Sequence, residues 1–152
     1  MTATENLARL GLEVPPVATP VGQYVPATVT GALAFTSGQL PLVGGALHAT
    51  GKVGAEVSVE DAAKCAELAA LNALAAVAHV AGGLDHVGRL VKVVVFVASD
   101  PAFTDQAVVA NGASELLGNV FGEDGRHARS AVGVAVLPKN SPVEVELIVE
   151  IG

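Results

Sequence analysis

The run Arg89-Leu-Val-Lys-Val-Val-Val-Phe-Val-Ala-Ser99 constrains this chain more than any other stretch. It is nearly continuous in β-branched residues, which are stiff at χ1 and suit a pleated sheet better than a helix. A strand this apolar is expected where both of its faces are covered. A sheet must therefore be built around it, and Asp100-Pro101 must end it. The 152 residues leave room for one domain, 1–152, and for no second core.

The elements on either side follow from periodicity and from stop signals. Residues 5–10 read as a short helical turn, followed by an extended Pro-rich lead-in. Tyr24 to Thr30 alternates as a strand, Gly31 turns the chain, and Leu33 to Ser37 returns as its hairpin partner. A Gly-rich loop then occupies 42–54, long enough to be functional or an oligomer contact. Ser58 and Asp61 carry the pattern of a capping box, launching a long Ala/Leu-rich helix to about Val80 that Ala81-Gly82-Gly83 ends. After the central strand, Thr104 is expected to cap a second helix from Asp105 to Phe121, ended by Gly122. Two further strands close the chain, so the order is β-β-α-β-α-β-β. That order predicts an α+β sandwich with two helices on one face of a mixed sheet.

Composition narrows the functions open to such a domain. Hydrophobic residues make up 51% of the chain, charged ones only 15%, and Trp is absent. Packing must rest on Ala, Val, Leu and Gly, and a small domain with so little charge is expected to cover apolar surface with copies of itself. A net charge of −7 repels polyphosphate, so nucleic-acid binding is disfavoured. Cys65 stands alone and reads as a small buried hydrophobe in a cytosolic protein. Met1 to Pro15 lacks the pattern of a signal peptide. The richest apolar segment, 62–83, contains Lys64, Glu67, Asn72 and His79, and these argue against a membrane span.

The stretch from Gly125 to Gly152 gathers the polar groups most suited to a ligand. Val143, Val145, Leu147, Val149 and Ile151 share one face of a strand, with Glu144, Glu146, Ile148 and Glu150 on the other. Arg129 opens the preceding strand, Ser130 to Val136, and the turn at Pro138 to Pro142 is expected to fold the two strands side by side. Arg grips a carboxylate through two parallel N–H bonds and keeps its charge in doing so. A carboxylate a few Å beyond, Glu144, could position water and exchange protons with a bound acid. The alternatives stay open: Glu144, Glu146 and Glu150 as solvated surface acids, and Arg129 as a salt-bridge partner of Glu144 itself.

Other chemistries find no support. His48, His79, His86 and His127 lack metal-ligand spacing. There is no Gly-x-Ser-x-Gly elbow, no phosphate loop and no dinucleotide fingerprint, and no cofactor is called for. Arg126 and His127 read as a solvated or interface pair, although an imidazole there could tune a cleft near pH 6.5.

Gly22-Gln23-Tyr24, Phe35-Thr36-Ser37-Gly38-Gln39-Leu40-Pro41, Asn111, Ala128-Arg129-Ser130, Leu137-Pro138 and Val143-Glu144-Val145-Glu146 occur in an order and spacing that resemble the RidA/YjgF family, also called L-PSP endoribonuclease-like. The resemblance spans nearly the whole chain. It implies a chorismate-mutase-like fold assembled as a homotrimer, with ligand clefts between subunits. It also implies hydrolysis of 2-imino acids, derived from reactive enamines, to 2-keto acids and ammonia, without metal or cofactor. On matching positions, Arg129 would hold the substrate carboxylate and Glu144 would orient water or move its protons. Tyr24, Ser37 and Asn111 would line the cleft, Gly38 would allow close backbone approach, and Ala131 would stand where the best-known branch has Cys and contribute backbone groups. The 42–54 loop, the lead-in and the 122–127 insert depart from the pattern and mark a longer side branch. A non-catalytic trimer that senses a small carboxylate metabolite is the alternative, and ribonuclease activity a weaker one.

Overall fold

A computed structural model describes residues Met1–Gly152. A five-stranded mixed sheet runs β1 (Ala27–Thr30), β2 (Leu33–Thr36), β7 (Val143–Ile151), β5 (Val87–Ala98) and β6 (Ala128–Val134) in spatial order. Helices α2 (Val59–Ala81) and α3 (Gln106–Phe121) pack together on one face, and a short α1 (Ala3–Arg9) rests against α3. This is the α+β architecture expected, with β3 (Leu42–Val43) and β4 (Ala46–Leu47) added as a small hairpin inside the 42–54 loop.

The central strand behaves as its composition requires only in part. Leu90, Val93, Val95 and Val97 are fully buried beneath the helices, opposite Val149, Leu147, Val145 and Val143 of β7. On the other face Lys92, Val94 and Phe96 remain half-buried. One chain thus covers one face of its sheet, and the second cover implied by β5 is not supplied from within.

One expectation is overturned by the pairing. The strands flanking the 138–142 turn do not form a hairpin, because β5 lies between them, parallel to β6 and antiparallel to β7. The linker from Ala135 to Pro142 crosses the end of β5. It contains a single 3₁₀ turn, Pro138–Asn140, in which Lys139 and Asn140 both take φ 59°. A Pro-Lys-Asn-Ser-Pro sequence can make a crossing as readily as a tight turn, since neither needs a backbone N–H at the prolines.

Helix ends differ in smaller ways. Ser58 caps α2 by accepting from the Asp61 N–H and Gly82 ends it in the left-handed conformation. The reciprocal bond of a capping box is made instead by Thr2 and Glu5 on α1. Thr104 does not cap α3; Asp105 holds that position without a side-chain bond. β1 starts at Ala27 rather than Tyr24.

α2 (23 residues, mean hydropathy 1.3) is long and apolar enough to cross a bilayer by length and composition alone, but most of it is buried inside the fold. Its composition has another cause. Twelve of its residues are buried between the sheet and α3, and an Ala-rich face permits close approach. At the crossing, a Cβ on Gly112 would overlap the Ala63 carbonyl oxygen, so glycine sets the helix–helix distance.

Candidate functional site

Arg129 enters on the helix-bearing face of edge strand β6, in register with buried Val93. There it meets a row of acceptors on α3. Nη1 donates to Asn111 Oδ1 (2.8 Å) and Ser114 Oγ (3.2 Å), and Nη2 to the Ala107 carbonyl (3.3 Å). Positions 107, 111 and 114 lie on one side of a helix by their spacing of four and three. Three of the five guanidinium N–H groups are thereby used. The Nε–H and the second Nη2–H are left, two donors of the kind that match a carboxylate.

Ser114 is held in turn. His127 Nδ1 lies 2.6 Å from the Gly125 carbonyl, which can only accept, so Nδ1 carries the proton. In the neutral ring Nε2 is then the acceptor for the Ser114 hydroxyl at 2.9 Å, and a Ser114 lone pair faces Arg129. The 122–127 insert thus has a definite task. Its 3₁₀ turn, 122–125, packs on α3 so closely that a Cβ on Gly125 would sit 2.5 Å from the Leu117 carbonyl oxygen. That contact fixes the carbonyl on which His127 rests. His127 is therefore a brace rather than a solvated residue, whereas Arg126 forms an exposed pair with Glu123 at 3.4 Å.

Glu144 stands elsewhere. It lies on the helix-free face of β7, opposite Phe96 of β5, and makes no ion pair with Arg129. Its carboxyl group packs on Gly38, where an added Cβ would come 2.6 Å from Cδ. Burial, and then the charge of Glu146, push its pKa above the ordinary 4.5. No donor of the chain offsets this, so the carboxylate is poised to take and release a proton closer to neutrality. Glu150 is spent on Arg89 at 3.5 Å.

The other expected residues divide between these two places. Ala131 is on the Arg129 side, paired with Val95 and packed on the core. Asn111 also lies there and braces Arg129. Near Glu144, Gly38 and half-exposed Tyr24 line a cavity of about 60 Å³. The Tyr24 hydroxyl accepts from the Val21 N–H at 3.2 Å, and the Ser37 hydroxyl donates to the Val25 carbonyl at 2.6 Å. Ser114, Ala107 and the bracing role of His127 escaped the reading of the sequence. The usable signal was the Asn111/Ser114 pair at i, i+3, which places two short polar side chains on one side of α3.

No three His, Cys, Asp or Glu side chains gather as a metal site would require. Cys65 is buried, and its thiol is pushed up to about 11 by that burial and by Asp61.

Residues 4–151 match the model of the family described as "YjgF/chorismate_mutase-like, putative endoribonuclease". The chain belongs to the YjgF family. Among its YjgF relatives, Protein TCP17 of Trypanosoma cruzi is 47% identical over 96% of this chain and 92% of its own length. The crystal structure of Atu1372 from Agrobacterium tumefaciens, a protein of unknown function, is 45% identical with a TM-score of 0.92, covering 99% of this chain and 94% of that one. The YjgF gene product of E. coli is 30% identical with a TM-score of 0.63, over 90% and 93% of the two chains. The gap between 0.92 and 0.63 separates this chain and Atu1372 from the E. coli protein within one fold.

Proposed function

We propose that the protein hydrolyses small 2-imino acids to 2-keto acids and ammonia, in clefts formed between the subunits of a homotrimer. The observation that carries this reading is the Arg129 guanidinium, tied down by three acceptors with two donors left for a carboxylate. Its counterpart is Glu144, a half-buried carboxylate with a raised pKa and no donor of its own.

The two groups leave opposite faces of one sheet, so one ligand can meet both only when they come from different copies. The half-apolar outer face, with Val94, Phe96 and exposed Val132, supports such an assembly. Arg129 would fix the substrate carboxylate. Glu144 of a neighbouring copy would take a proton from water as its oxygen bonds to the imine carbon, giving a carbinolamine. That proton passes to nitrogen to complete the carbinolamine; the hydroxyl proton then moves through Glu144 to the same nitrogen as the C–N bond breaks and the C=O forms, so that ammonia leaves and Glu144 ends ionised. Water and imine are consumed, and keto acid and ammonia released. Position and field suffice, because the C=N carbon is already electrophilic. A cytosolic setting suits the lone buried thiol.

The test is to generate imines in situ with an amino-acid oxidase, with semicarbazide as the competing trap. Wild type should suppress semicarbazone formation and both Arg129→Ala and Glu144→Gln should not. If the trimer only senses a carboxylate, wild type will leave the semicarbazone untouched while binding a 2-keto acid, and only Arg129→Ala will abolish that binding.

A further inference from the structure

A cavity of about 430 Å³ lies between the 15–19 lead-in, the Gly44-Gly45 turn and α2, with Asn72 in its wall and Lys139 at its rim. Asn72 is out of place on the buried face of an Ala/Leu helix, being only 5% exposed. Its Nδ2 donates to the Leu40 and Leu42 carbonyls at 2.9 and 3.0 Å. Two acceptors at that end fix the orientation of the amide. Oδ1 is the atom left for the cavity, and no group of the chain donates to it.

Lys139 lines the same space and is the only charged residue that does. It forms no ion pair, in a chain that carries seven more acids than bases. Its backbone is in the left-handed region, φ 59°, as is that of Asn140. Non-glycine residues persist there when their surroundings hold them. The surroundings are the 42–54 segment: Lys52 Nζ donates to Asn140 Oδ1 at 2.7 Å, and the Gly51 N–H to the Asn140 carbonyl at 2.9 Å. The long loop therefore sets where Lys139 stands.

This cavity shares Ala18, Thr19, Leu42 and Lys139 with the smaller one lined by Tyr24 and Gly38, against which Glu144 packs. We propose that the larger cavity receives the end of the substrate's side chain and selects a terminal carboxamide, as in the 2-imino acid derived from glutamine. The inference rests on the imine-hydrolysis reading and adds its substrate class. A carboxamide offers its oxygen to Lys139 and an N–H to Asn72 Oδ1. A carboxylate would satisfy Lys139 and oppose Asn72, and an alkyl or thioether end would leave both groups unpaired.

The trap assay decides, run on imines derived from glutamine, glutamate and methionine, whose side chains are close in length, with the alanine-derived imine beside them. Wild type should process the glutamine-derived imine at least about tenfold more efficiently (kcat/KM) than either of the other two long ones. Lys139→Met, at an exposed position, should bring that value down to the methionine-derived level. Equal efficiencies in wild type, or a Lys139→Met effect common to all three, would overturn the proposal while activity on the alanine-derived imine upholds the parent reading. Wild type inactive on all four overturns both.

Discussion

Arg129 and Glu144 leave the same sheet on opposite faces, with β5 running between their strands. Two strand spacings alone separate them by about 10 Å. A site split between copies, as proposed, makes complementation the sharpest test. Arg129→Ala and Glu144→Gln subunits, each inactive alone, should recover about a quarter of wild-type activity when unfolded together and reassembled at equal ratio, the chance that a cleft draws both intact residues. No recovery in verified mixed trimers would place both groups on one chain's cleft.

Ser114 is predicted to act through Arg129. Ser114→Ala removes an acceptor from Nη1 and the donor to His127 Nε2. Because hydrogen bonds to charged groups contribute about 1.5–3 kcal/mol, KM should rise roughly tenfold or more while kcat changes little. Ser114→Thr, which keeps the hydroxyl, should restore most of the loss. A fall in kcat alone would show that the brace has no part in binding.

Glu144 should leave a signature in stability as well as rate. Its folded-state pKa is raised above 4.5, chiefly by burial, so the folded protein favours the protonated form. The stability it contributes is complete below the unfolded pKa and is lost as pH rises through the folded value. Glu144→Gln should therefore match wild-type Tm in acid and exceed it increasingly toward neutral pH. Activity should run the other way, falling as acid protonates the base. Parallel Tm curves at all pH values would remove the burial argument.

Gly112→Ala is expected to cost about 1–3 kcal/mol, because the new methyl meets the Ala63 backbone, which cannot step aside as a side chain would. Thermal unfolding measures it. The same change at exposed Gly118, which has open space around it within α3, should instead raise Tm slightly.

The elements were legible wherever local chemistry decides. Strict alternation marked β7, and Ser58 and Gly82 bounded α2, since caps are made by residues within a turn of one another. The partner of β6 was not legible. Whether β5 slides between two strands depends on contacts some 35 residues apart in sequence, and a proline-rich linker reads the same in either case. The site divides likewise. Arg129, Glu144 and Gly38 stand out by residue type and family pattern, and the structure gives the last two a direct contact. Ser114 is an ordinary helical serine until the fold brings β6 beside it, and the facing of Arg129 away from Glu144 follows only from strand order.

The uncovered face of the sheet brings mass action into the behaviour of this protein. If a cleft needs two chains, its concentration follows the assembled fraction and not the folded fraction. Activity per chain would then fall on dilution while the helices and the buried core of each subunit remain intact, and substrates that bridge two copies would slow that loss by holding them together.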